Sequence, residues 1–365
     1  METKDTESSN PWAQAQTAMA EEAARNFQRM SRLPQLWQNA QRVKRGATPS
    51  EVVYEEGRLK LLRYTSDKPR KHKTPVLFVF ALVNRPYILD LLPHKSVVSH
   101  FVDAGFDTYL IDWHRPTHAD RHHTLDTYIN GYLLNIVDYL RERTGAPQVS
   151  IVGYCMGGTM STMFTALHPD KVKNLMLMAA GIDFETREGL LNQWADPDFF
   201  DVDAFIDAFG NCPADFLQST FLMMNPVANL MQKPITLLER IEDEDFVDEF
   251  LTMETWLNDN VAIPGELYRE FVKYLYQRNL LVKGEMPVGR HIIDLKKVTC
   301  PVLNIMATKD DLVPCAQSEP FNDLVGSSDR KTMKFKAGHI GLAVGSRAHR
   351  ELWPKVCDWL EERSD

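Results

Sequence analysis

Val149-Ser150-Ile151-Val152-Gly153-Tyr154-Cys155-Met156-Gly157-Gly158-Thr159 is the stretch from which the rest of the chain can be read. An apolar run stops at a glycine, and a helix-like segment rich in Ala, Met and Thr follows. A Gly two residues before and two after Cys155 lets the backbone turn sharply from strand to helix and lifts the cysteine side chain above a sheet. The turn places helix N-terminal amides beside the sulfur, where they favour the thiolate and can bind the oxyanion that forms when an acyl group is attacked. The chemistry implied is acyl transfer through a covalent thioester. Two other readings compete: a cysteine is often a small buried hydrophobe, and glycine-rich strand-to-helix turns also cradle phosphates. The phosphate reading is the weaker, because this turn lacks both the Lys of a P-loop and the spacing of a dinucleotide fingerprint.

A nucleophile needs a base and an orienting acid, and both follow in order. Residues 301–306 (PVLNIM) read as a short buried strand ending in Thr308-Lys309-Asp310-Asp311-Leu312-Val313-Pro314. An acid at the C-terminal tip of such a strand faces the same crevice as the elbow. A second short strand at 333–335 leads into Lys336-Ala337-Gly338-His339-Ile340-Gly341. Nucleophile, acid, histidine is the chain order of the α/β-hydrolase triad. In this reading His339 takes the proton of Cys155, and Asp310 fixes the imidazole tautomer and stabilises the imidazolium. Asp310 also suits a simple turn, and the adjacent Asp311 is the alternative acid.

Composition agrees with an enzyme of this kind. The 365 residues are 44% hydrophobic and 25% charged, enough to bury a large core, and nothing marks the chain as fibrous or disordered. A net charge of -9, from 41 basic and 50 acidic residues, argues against a nucleic-acid surface. Five cysteines at irregular spacing suit a reducing compartment rather than a disulfide framework. The polar N-terminus shows no signal peptide, and no apolar run reaches the ~18 residues of a membrane span, so a cytoplasmic location is expected. His114, His118, His122 and His123 crowd one loop, but Pro116 breaks the helical spacing that would let the first two share a metal, and no metal site is expected.

The texture of the chain sets its organisation. Residues 1–50 read as an N-terminal helical extension, an imperfect amphipathic helix over 12–40 interrupted at Pro34 and carrying Trp12, Phe27, Met30, Leu36 and Trp37. A hairpin around Gly57 and a basic linker at 68–73 follow. Strands at 76–82 and 108–111, the elbow strand that breaks at Gly153, and a strand at 172–179 then alternate with helices at 96–104 and 125–143 and with the elbow helix. That alternation gives a mostly parallel sheet with helices on both faces, so 51–181 and 291–365 form the core. Residues 182–290, helical and rich in Phe, Leu and Met, form a cap insertion that excludes water from the site. The acidic run at 242–245 reads as a solvated face.

With these pieces in place the chain resembles the polyhydroxyalkanoate synthases, which polymerise 3-hydroxyacyl-CoA into polyester. The resemblance rests on the lipase-like box Gly153-Tyr154-Cys155-Met156-Gly157-Gly158 and on Asn84-Arg85-Pro86-Tyr87-Ile88-Leu89-Asp90-Leu91. It rests also on Trp256-Leu257-Asn258-Asp259 with Ile263-Pro264-Gly265, on Arg278-Asn279-Leu280, on Asp310-Asp311-Leu312-Val313-Pro314 and on Gly338-His339-Ile340, blocks spanning roughly 75–345. Single-subunit synthases carry a long N-terminal domain for which this chain is too short. It is therefore similar to the catalytic subunit of a two-subunit synthase, class III with a PhaE-type partner or the related class with a PhaR-type partner. Synthases often have His after the triad Asp, where this chain has Asp311.

The resemblance implies a mechanism and a setting. Cys155 takes the hydroxyacyl group, 3-hydroxybutyryl foremost, from CoA, and His339 activates the 3-hydroxyl that extends the chain. Asp310 supports His339, and in the family it is also assigned a part in activating the hydroxyl. The backbone amides of Met156 and of Val83 or Asn84 are the expected oxyanion donors. No cofactor is needed, the family acts as dimers, and the enzyme is expected at the polyester granule surface. The same triad with water admitted would make a thioesterase, a lactonase or a dienelactone hydrolase-like enzyme. A granule-coat protein with a dead hydrolase fold is the reading from another class, and the intact Cys, Asp and His argue against it.

Overall fold

Near-continuous apolar runs make strands that are buried on both faces, and such strands occupy the centre of this molecule. The computed structural model describes residues 11–31 and 46–364. One sheet contains β1 (Ser50–Glu56), β2 (Leu59–Tyr64), β3 (Val76–Val79), β4 (Thr108–Asp112), β5 (Val149–Tyr154), β6 (Val172–Met178), β7 (Val302–Ala307) and β8 (Arg330–Phe335). Their order across the sheet is β1-β2-β4-β3-β5-β6-β7-β8. Only β2 runs against its neighbours, and every pairing from β4 to β8 is parallel. Strands β3, β5 and β7 are buried at every position. The two edges are blunted by charge, Glu51, Glu55 and Glu56 on β1 and Arg330, Lys331 and Lys334 on β8, as exposed edges require.

Strand β3 ends three residues short of the 76–82 expected from hydropathy. Beyond Val79 the carbonyl of Phe80 accepts the Trp113 indole N–H at 2.8 Å, so the chain there is tied to a side chain and not to a neighbouring strand. Helix α2 (Val97–Ala104) begins with a Ser96 Oγ cap on the Ser99 N–H at 2.9 Å and ends at Gly105, whose φ of 96° only glycine adopts easily. The helix expected over 125–143 is a wide-turn segment, Thr127–Leu133, running into α3 (Leu134–Thr144). Helix α4 (Met156–Leu167) follows β5 and is buried along almost its whole length, which its even Ala, Met, Thr and Gly composition permits.

The chain divides into two compact units, Arg45–Met224 with Trp256–Asp365, and Met1–Lys44 with Asn225–Thr255. The insertion read from the sequence as one cap over 182–290 is thus shared between them. The larger unit keeps α5 (Val202–Phe209), α6 (Ala214–Met224) and α7 (Gly265–Glu270), which continues through the wide-turn segment Phe271–Gln277. In the smaller unit a cluster of Ile241 and Val247 with Leu237, Phe246 and Leu251 is the packed element, and 242–245 are exposed. Helix α1 (Pro11–Ser31) exposes Trp12, Met19, Phe27 and Met30. Pro34, Leu36 and Trp37 lie outside the described residues. Among the described residues no helix is long and apolar enough to cross a membrane, and all five cysteines are free thiols.

Candidate active site

The elbow forms because one residue accepts a strained backbone and three glycines give it room. Cys155 sits between β5 and α4 with φ 54° and ψ -127°, a conformation costly for a residue with a Cβ. It is pinned on both sides: its N–H donates to Met178 O at 2.9 Å, and its carbonyl accepts the Gly158 N–H at 2.9 Å. None of the three glycines has a positive φ. They allow close backbone approach instead. A Cβ on Gly157 would lie 2.2 Å from Val79 O, one on Gly153 2.5 Å from Gly158 Cα, and one on Gly158 2.5 Å from the Ala180 Cβ.

Asp310 and His339 meet beyond the ends of β7 and β8. Asp310 Oδ2 accepts from His339 Nδ1 at 2.7 Å, while its Oδ1 accepts the backbone N–H groups of Leu312 and Val313 at 2.9 and 2.8 Å. The carboxylate is thereby fully engaged and its side chain has no exposed area. Asp311, one residue on, is exposed and takes no part. With Nδ1 committed to Asp310, Nε2 of His339 is the nitrogen left for the nucleophile. Burial by itself would lower the His339 pKa, but the charges of Cys155 and Asp310, with hydrogen bonds to both, raise it to about 10. Tyr154 closes the rear of the histidine, its ring stacked at 5.1 Å and its hydroxyl donating to His339 O at 3.2 Å.

The segment after His339 is held by two rings. Trp353 Nε1–H donates to Leu342 O at 2.8 Å, and His349 Nε2–H donates to Ala343 O at 2.8 Å. That bond leaves His349 Nδ1 as an acceptor for His100 Nε2–H at 3.1 Å. Burial first, then His100, with Lys95 and His94 adding to it, pushes the His349 pKa down to about 4. A histidine whose folded pKa lies below its unfolded value of ~6.5 contributes stability that is present above that value and lost as pH falls towards 4. Melting curves between pH 6.5 and 4 are expected to show a declining Tm, with a shallower slope in His349→Gln, which keeps a donor for Ala343 O without taking up a proton.

Cys155 opens onto a cavity of about 480 Å³ lined mostly by apolar side chains, among them Phe184, Leu191, Phe200, Phe216, Phe271 and Val272 from the segment between β6 and β7. Met156 and Val83 line it too, whereas Asn84 is buried outside its wall. Met156 is the first residue of α4, so its N–H has no intrahelical acceptor. The Val83 loop is fixed by chain returning to the core: Trp256 Nε1–H donates to Arg85 O at 2.8 Å and Val261 N–H to Val83 O at 3.2 Å. Asp259 also binds Tyr87 and Arg115. Tyr276 lines the cavity as well, and sequence reasoning did not single it out. Burial, then the charges of Cys155 and Asp310, raises its pKa and keeps the phenol neutral. Its place in a helical segment far along the chain gave no local signal. Among the described residues no group of three or more His, Cys, Asp or Glu is arranged to hold a metal, the histidines at 114–123 included.

Comparison with known proteins agrees with this architecture and narrows it. The family described as the alpha/beta hydrolase fold matches residues 74–346, and the Poly-beta-hydroxybutyrate polymerase (PhaC) N-terminus matches 36–101. Among solved structures, a monoacylglycerol lipase of Paleococcus ferrophilus superposes with a TM-score of 0.52 at 14% identity, covering 84% of this chain and all of the lipase, a likeness of fold alone. The poly(3-hydroxyalkanoate) polymerase subunit PhaC of Haloferax mediterranei is 45% identical over 94% of this chain and 70% of its own length. The subunits of the same name from Allochromatium vinosum and Synechocystis are 42% and 41% identical, over 89% and 87% of this chain and 92% and 85% of theirs. This extent of identity, carried on an α/β-hydrolase core, places the chain in the family of poly(3-hydroxyalkanoate) polymerase PhaC subunits, which are acyltransferases.

Proposed function

We propose that the chain polymerises 3-hydroxyacyl units delivered as CoA thioesters, 3-hydroxybutyryl-CoA foremost, through a thioester on Cys155. The Sγ attacks the carbonyl of the incoming thioester and the bond from that carbon to the CoA sulfur breaks. The thiol proton passes to His339 Nε2 and leaves with CoA. His339 Nε2 then takes the proton of a 3-hydroxyl, whose oxygen attacks the Cys155 thioester; an ester bond forms and the released sulfur is reprotonated. Exchange between two thioesters is nearly isoenergetic, so a thiol nucleophile suits the loading step. The N–H groups of Met156 and of Val83 or Asn84 are assigned to the oxyanion. The observation that carries this reading is the Asp310–His339 pair beside a strained cysteine that opens onto an apolar cavity, where an acyl-enzyme is shielded from water.

Incubation of the purified chain with 3-hydroxybutyryl-CoA, with and without a PhaE-type subunit, tests the reading. CoA release with insoluble polyester is expected, and dependence on the second subunit would mark it as the partner, with a PhaR-type subunit as the parallel trial. Free 3-hydroxybutyrate with no polymer under either condition would make the chain a hydrolase and end the proposal. We place the working enzyme, as a dimer, in the cytoplasm at the surface of the polyester granule. Asp310→Asn is expected to lower kcat on the order of 10⁴-fold, because an amide no longer fixes the His339 tautomer. Asp311→Asn should leave kcat within about twofold, as surface substitutions usually do. Steady-state CoA release on the two variants checks this, and equal losses would remove Asp310 from the triad.

A further inference from the structure

We propose that the phenol of Tyr276 is the contact by which the cavity recognises the hydroxyl of the acyl group, an inference that rests on the acyl-transfer reading above. The other hydroxyls that line this cavity are engaged elsewhere. Thr159 Oγ1 donates to Gly181 O at 2.7 Å, Ser219 Oγ to Asp215 O at 2.8 Å and Thr220 Oγ1 to Phe216 O at 2.9 Å. Tyr268 is bonded to the buried thiol of Cys212. Tyr276 is different: its ring is set edge-on against Phe184 at 4.7 Å, with Phe271 at 6.2 Å, yet its hydroxyl has no hydrogen-bond partner among the described residues. It lies near enough to Cys155 and Asp310 to feel both charges.

The backbone around Tyr276 also marks it out. It falls in the wide-turn segment Phe271–Gln277, a geometry that is rare in helices and frequent at functional sites. The next side chain anchors the segment, since the Gln277 Nε2 amide donates to both Ala195 O and Phe200 O at 3.0 Å. The phenol is therefore held in place by its neighbours, with both its donor and its lone pairs available to a ligand. A neutral phenol inside an apolar wall recognises a hydroxyl by pairing with it. It penalises an acyl group without one, because the buried O–H is then covered and left unpaired.

The test is single-turnover CoA release from 3-hydroxybutyryl-CoA and from butyryl-CoA, which lacks the hydroxyl, using the full chain with its accessory subunit. Wild type is expected to be acylated about 10-fold or more faster by the hydroxylated thioester. Tyr276→Phe, which removes one oxygen and keeps the ring, should lower that ratio about 10-fold, with the larger loss on the hydroxylated substrate. Its turnover of butyryl-CoA shows that the variant is folded. An unchanged ratio, or equal losses on both substrates, overturns the assignment, as does a wild-type ratio near one. Absence of CoA release from either thioester in the wild type would instead remove the acyl-transfer reading, and this proposal with it.

Discussion

Cys155→Ala is expected to fold as the wild type does and to release CoA from 3-hydroxybutyryl-CoA more slowly by a factor on the order of 10⁴ or greater. On the proposed mechanism the change removes the nucleophile and with it the covalent route, leaving only what the proposed oxyanion donors and the cavity contribute. The backbone should tolerate the change no worse than it tolerates cysteine, since both residues carry a Cβ at φ 54°. The variant also has a spectroscopic signature. The charge of Cys155 is among the causes that hold the His339 pKa near 10, so without the sulfur the imidazole should titrate lower. Circular dichroism, CoA release and the ¹H–¹⁵N signals of His339 would be measured together. Polymer formation by Cys155→Ala at a tenth of the wild-type rate would dismiss Cys155 as the nucleophile.

Gly157→Ala should be the most damaging single methyl in the elbow. The added carbon would lie 2.2 Å from Val79 O and 2.7 Å from Phe80 O, well inside contact distance, and both obstacles are backbone atoms that bound the central strand β3. Relief requires moving α4 away from the sheet over a wholly buried interface, and overpacking of that kind costs about 3 kcal/mol or more. Denaturant unfolding should show this loss. Residual activity should fall further than stability alone explains, because the same shift moves Cys155 from His339. Gly145→Ala is the control: unlike Gly157 it has positive φ, but nothing lies within 4 Å of its Cβ position, so only the backbone strain of about 1 kcal/mol should appear.

How far the sequence could be read depends on whether each feature is written locally. The α/β-hydrolase fold was legible because the elbow is a contiguous signature and because Cys155, Asp310 and His339 follow in the order particular to that fold. The central strands were legible from uninterrupted hydropathy, and the close of β3 at Val79 was not, because it depends on an indole from the strand's neighbour. The role of the elbow glycines was only half legible. Their spacing announces a turn, but the approach of Val79 O to Gly157 is a contact between distant segments. Tyr276 was hidden for the same reason, as one aromatic in a helical stretch rich in them, distinguished only by what surrounds it. The division of the insertion at Met224 and Trp256 has no composition shift to announce it.

The contacts at Gly157 also set a rule for suppressor genetics. A side chain that crowds a glycine can be shortened by a second mutation, as Asn192 could be for an alanine at Gly189, whose φ of -89° any residue adopts and whose nearest obstacle is the end of that side chain. A carbonyl oxygen has no smaller form. In a selection for revertants, a damaged Gly189 should be rescued from elsewhere in the gene, whereas a damaged Gly157 should return only by restoring glycine itself.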